Sequence, residues 1–183
     1  MTVLKEAITF CLNLLFLLFA SHGIGQFVTT DSLLLKPGDT THIIGILTSS
    51  LLHENTEHLI YNAIGLGGFY FFLIIEKELT RPIRASLLFI IISNLVVFFF
   101  GDPSYYYLGS SNLVYALAGF SIGSVVINKK YKLLIPLIFL GGLLINGMIM
   151  GNTGVSFISH YFGLILGIGY FILKEYIQPL KIA

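Results

Sequence analysis

A chain of 183 residues that is 56% hydrophobic and only 10% charged cannot cover itself with polar groups, because soluble domains carry about 25% charged residues. The bilayer is its natural solvent, and a net charge of +1 gives no case for nucleic acid. The single cysteine, Cys11, excludes an internal disulfide, and no polar linker divides the chain, so residues 1–183 read as one membrane-embedded domain.

Six apolar stretches have the length that crosses about 30 Å of hydrocarbon. The first covers approximately residues 7–28. A cleaved signal peptide is the other reading of it, but the n-region has one Lys beside Glu6 and Ala20-Ser21-His22 is a poor cleavage site. Next comes a long loop, roughly residues 29–57. It holds the turn signal Pro37-Gly38-Asp39 and an apolar run over residues 41–53 containing Gly45, Thr48, Ser49 and Ser50. That run is too short to span, so it is expected to be re-entrant or interfacial. The remaining spans are expected at approximately 58–75, 82–100, 111–127, 133–150 and 156–173. The one over 111–127 is the shortest and richest in small residues, which predicts a deep position surrounded by the others.

Charge sets the orientation. Lys5, Lys77, Arg81, Arg84, Lys129, Lys130, Lys132, Lys174 and Lys181 fall on one side of this topology, and Lys36 alone on the other with Asp31, Asp39, Glu54, Glu57 and Asp102. The positive-inside rule then puts both termini in the cytoplasm of a multi-pass protein, expected in the cell membrane.

Polar side chains inside apolar helices are costly unless paired or functional. In this topology His58 and Asn62, Ser111, and His160 all lie at the outer mouths of the second, fourth and sixth spans. Ser111 and His160 supply a nucleophile and a general base. Ser111 starts a helix, where amide N–H groups lack intrahelical partners and can hold an oxyanion. His58 and Asn62, four apart, share one helix face and add side-chain donors to it. His160, Gly163 and Gly167 form one stripe, with the small-x-x-x-small pattern that lets helices approach closely. Ser111, Tyr115, Ala118 or Gly119, and Gly123 form the facing stripe. Tyr115 is placed to pack on His160. No intramembrane Asp or Glu is at hand, so a Ser-His dyad is expected.

These residues resemble the rhomboid family of intramembrane serine proteases. The run from His53 through His58 to Asn62 resembles that family's second-helix signature, in which a His and an Asn line the oxyanion hole and an earlier His ends the first loop. Gly109-Ser110-Ser111-Asn112, followed by Tyr115 and Gly119, resembles the nucleophile motif Gly-x-Ser-Gly. His160-Tyr161-Phe162-Gly163 with Gly167 resembles the base motif. The likeness covers residues 40–170 in family order. It implies a six-helix bundle, no cofactor, and single-pass membrane proteins as substrates, cut near the outer face after small side chains. Three departures stand out. Asn112 replaces the usual Gly, a side chain placed to crowd substrate or reshape the oxyanion hole. Ser159 replaces the common Ala, and the Trp-Arg pair of the first loop is missing.

Plainer roles exist for each residue. Ser111 suits a helix cap, His160 a hydrogen-bonded bundle histidine, His58 with Asn62 an interhelical clasp, and His53 a loop-satisfying role. Ser93 and Asn94 suggest interhelical hydrogen bonds and no more, and His22 and His42 suit the interface. Zinc is disfavoured: His53-Glu54 and His58 have the wrong spacing for His-Glu-x-x-His, which would put a second His at Glu57. The main rival function is a catalytically inactive relative that binds membrane-protein helices. A transporter would need polar residues at every depth, and the cytoplasmic halves are apolar.

Overall fold

A computed structural model describes residues 2–25, 31–131, 134, 137–138, 140–142 and 157–177. Among these, secondary structure is helical, with one isolated antiparallel bridge between Leu35 and Tyr107. The helices are α1 (Thr2–Gly25), the short α2 (Gly45–Thr48), α3 (Thr56–Ile75), α4 (Pro82–Phe100), α5 (Ser111–Ile127) and α6 (Phe157–Ile177). Four of them, α1, α3, α4 and α6, are long and apolar enough to cross a membrane, and α5 is a shorter apolar helix. The expected span over 133–150 lies mostly outside the described residues; Leu134, Leu137, Ile138 and residues 140–142 are helical.

Helix ends follow local chemistry. Asn55 caps α3 by accepting the His58 backbone N–H at 2.8 Å, so this helix begins two residues before its apolar stretch. α1 starts at Thr2 rather than residue 7, because polar Lys5 and Glu6 extend the helix beyond the hydrophobic run. Likewise α6 continues to Ile177, past the expected end at 173. Pro82 opens α4 at a position where its missing N–H costs nothing.

α5 is central. It packs on α3, α4 and α6, while α1 lies outside against α3, and all but five of its 17 residues are buried. Its contact with α6 is backbone to backbone. A Cβ on Gly119 would sit 2.0 Å from the Leu164 carbonyl oxygen, and one on Gly167 would sit 1.8 Å from that of Ala116. A Cβ on Gly163 would meet the Asn112 carbonyl at 2.6 Å. The α5 face against α6 therefore includes Tyr115, Gly119 and Gly123 of the stripe that spacing suggests and extends one residue round to Asn112 and Ala116. Outward residues such as Phe16, Phe99, Phe100 and Ile165 remain exposed, as a lipid-facing surface requires.

Opposite ends of the bundle are tied differently. Where α3, α5 and α6 terminate, buried Glu78 accepts from Lys130 at 2.8 Å and Asn128 at 2.9 Å and pairs with Lys174 at 3.3 Å. At the other end the first loop does not form one re-entrant helix. It is a chain of short turns, with Gly45 pressed to within 2.4 Å (as a Cβ) of the Leu34 carbonyl oxygen. Leu35 exchanges backbone hydrogen bonds with Tyr107, and Gly38 N–H donates to Phe98 O. The loop is thus fastened to the end of α4.

Because the α5–α6 contact leaves no room for a methyl, Gly167→Ala is expected to cost about 3 kcal/mol through overpacking. Gly169, two residues on, has open space around its Cβ position, so Gly169→Ala is expected to be neutral or slightly stabilising. Thermal unfolding in detergent checks the pair; equal midpoints would contradict this packing.

Candidate active site

α3, α5 and α6 all begin at the end of the bundle where the first loop sits. That parallel arrangement brings together the four polar residues at their starts. Ser111, the first residue of α5, lies with its Oγ 2.8 Å from His160 Nε2. His160 is one turn into α6 and only 8% exposed. The ring of Tyr115 stacks on its imidazole at 4.2 Å between centroids and 17° between planes. The other ring nitrogen, Nδ1, is buried and has no hydrogen-bond partner among the described residues. Among the described residues no carboxylate orients the histidine; the stacked tyrosine and the helix packing do so.

The turn before Ser111 is shaped by Gly109, whose φ of +104° is a conformation L side chains rarely adopt. A Cβ there would also sit 2.6 Å from the His58 ring and 3.5 Å from Asn62 Nδ2. Glycine therefore lets the His58 ring and the Asn62 amide come up against the backbone just ahead of Ser111. Asn62 is 4% exposed, and its Nδ2 has no partner among the described residues. A buried amide donor without an acceptor calls for a reason, and its position beside Gly109 suits a negative oxygen arriving from a ligand. At the start of α5, Leu113 N–H is taken by Asn112 Oδ1 and Val114 N–H by Ser110 O. The amides of Ser111 and Asn112 are left as helix-end donors without intrahelical acceptors.

His53 lies in the loop just before α3. Its Nε2 is 3.3 Å from Ser110 Oγ, and its ring meets that of His58 edge-on at 5.3 Å. It thus joins the loop to the residue preceding Ser111. Burial, reinforced by the neighbouring His58 and His22, lowers its pKa from the ordinary 6.5 to about 3.

The Asn112 amide is buried and donates to Asn94 Oδ1 at 2.7 Å, so this side chain is turned toward α4. Asn94, to which sequence reasoning gave only a generic hydrogen-bonding role, is a junction between α4, α5 and the first loop. α4 runs antiparallel to α3, and Asn94 lies six residues before its end, about 9 Å below the mouth. That is the depth of Asn62, so the depth criterion that singled out the other four residues also points to Asn94.

A family model for the Rhomboid domain matches residues 40–175, more than half of the chain. The chain belongs to the rhomboid family. No curated protein matches it. The matched range holds His53, His58, Asn62, Gly109, Ser111, Tyr115, His160 and Gly163, and it ends just inside α6. Family membership and the apolar helices together make this rhomboid an integral membrane protein of a family of intramembrane proteases.

A histidine whose protonation is opposed by its surroundings destabilises the fold as it is forced to charge. The folded pKa of His53 lies below the unfolded one, so the stability it contributes is present above about pH 6.5 and declines as pH falls toward 3. Histidine-ring NMR in detergent should show His53 unchanged between about pH 7.5 and 5; a midpoint near 6.5 would contradict its burial.

Proposed function

We propose that this rhomboid is an active intramembrane serine endopeptidase using a Ser111–His160 dyad. One observation carries the reading: the 2.8 Å contact between Ser111 Oγ and His160 Nε2, made at the first residue of a helix and under a stacked tyrosine. In this reading the span over residues 133–150 completes a six-helix bundle, with both termini cytoplasmic and the site opening toward the outer face.

Ser111 Oγ attacks the scissile carbonyl carbon while His160 Nε2 takes the hydroxyl proton. The carbonyl oxygen becomes an oxyanion, held by the Ser111 amide, the His58 ring and Asn62 Nδ2. Collapse of this intermediate breaks the C–N bond, and His160 returns the proton to the departing amine. Water then attacks the acyl carbon while His160 takes its proton, the bond to Ser111 Oγ breaks to release the carboxylic acid product, and His160 returns the proton to Ser111 Oγ. Tyr115 keeps the imidazole plane aligned, and Gly163 keeps α6 close enough for the contact. Neither a metal nor a cofactor is required. The substrates are single-pass membrane proteins whose helix is loose near the outer face.

An inactive relative that only binds helices is the competing reading. Asn112 was its main support, and the side chain is turned toward Asn94. A fluorophosphonate or isocoumarin probe separates the two. The enzyme reading expects Ser111-dependent labelling that disappears in Ser111→Ala, and labelling slowed by about 10²–10³-fold in Asn62→Ala through loss of an oxyanion donor. A folded wild-type protein that takes no label favours the binder.

A further inference from the structure

The residue after the nucleophile is where this chain departs from its family's motif, and that residue belongs to a buried chain of hydrogen bonds. Asn112 and Asn94 are 3% and 4% exposed. Asn112 Oδ1 accepts the Leu113 N–H at 2.7 Å, and Asn112 Nδ2 donates to Asn94 Oδ1 at 2.7 Å. On the far side, Asn94 Nδ2 donates to Ile46 O at 2.8 Å and lies 3.3 Å from both Ser49 Oγ and Ser50 Oγ. Ser49 closes the path, because its carbonyl accepts the Gly109 N–H at 2.9 Å. The connection therefore leaves α5 just after Ser111, crosses α4, passes through the first loop, and returns to the chain two residues before Ser111.

Two amides in an apolar bundle are expensive unless each polar atom is satisfied. Here both oxygens and both nitrogens have partners, and the partners lie on either side of one serine. We propose that Asn94 and Asn112 are a positioning pair, which fixes the rotation of the first turn of α5 and so aims the Ser111 hydroxyl at His160. This rests on Ser111 being the nucleophile. Neither asparagine touches the reacting atoms: Asn112 acts through the backbone it caps, and Asn94 acts through Asn112 and the loop. The family's glycine at this position has no side chain for such a tie. In this chain the turn is held by an added polar link, and taking Asn112 back to glycine removes it.

The test measures second-order fluorophosphonate labelling rates in detergent for wild type, Asn112→Gly, Asn94→Ala and the double variant, with thermal midpoints alongside. Asn94→Ser stands in if the alanine variant does not fold. The pair predicts that Asn112→Gly and Asn94→Ala each slow labelling of the folded protein about tenfold or more, since small misplacements of a nucleophile carry large rate costs. It also predicts that the double variant is little slower than either single one, and that with a peptide substrate kcat falls while KM holds. Midpoints that drop while Asn112→Gly labels at the wild-type rate or faster would make the link purely structural and overturn the positioning role alone. A wild-type protein that does not label at all would overturn the nucleophile assignment and the positioning role with it.

Discussion

The site depends on the contact between the backbones of α5 and α6. Gly119 on one helix and Gly163 and Gly167 on the other leave no space for a Cβ, with carbonyl oxygens of the neighbouring helix standing where that atom would go. In lipid there is no hydrophobic drive to join two apolar helices, so close packing of small residues supplies the association. The same closeness serves chemistry. Ser and His side chains are short, and they meet across a helix pair only where the helix axes come very near. Tyr115 sits on α5 one turn below Ser111 and covers His160 from the helix that carries Ser111, so the packing that joins the helices also orients the imidazole.

The distribution of polar groups follows from that frame. At one end, Glu78 gathers Lys130, Asn128 and Lys174 into an ionic knot. At the other end the buried polar side chains include no Asp, Glu, Lys or Arg among the described residues: the cluster there is made of Ser111, His160, His58, Asn62 and the Asn94–Asn112 pair. Such groups cost less to bury than full charges, and two polar atoms there, Asn62 Nδ2 and His160 Nδ1, have no protein partner among the described residues. A stable fold has little use for unpaired donors, whereas a site that must stabilise a transient negative oxygen has a direct one.

Much of this was legible in the chain itself. Nearly every helix announced itself by a run of apolar residues of membrane length, and the shared depth of His58, Asn62, Ser111 and His160 marked one end of the bundle. The glycine stripe on α6 was readable because small residues at four-residue spacing have a direct steric meaning. What was not legible was angular detail. The α5 face against α6 is wider than the stripe through Ser111, Tyr115, Gly119 and Gly123 and takes in Asn112 and Ala116 as well, because backbone-to-backbone contact engages two neighbouring helix faces. The role of Asn94 was hidden because its partners, Ile46, Ser49 and Ser50, lie more than 40 residues away in a loop whose turns have no periodicity. The direction of the Asn112 side chain was hidden for the same reason: it depends on a partner on another helix.

In the proposed enzyme the imidazole of His160 makes Ser111 a nucleophile. Intact-mass measurement of fluorophosphonate adducts on purified wild type and on folded His160→Ala tests it most directly. One adduct per chain located on Ser111 in the wild type, with none forming on the same timescale in the variant, is the predicted result. Adducts forming on Ser111 at equal rates in both proteins would contradict it.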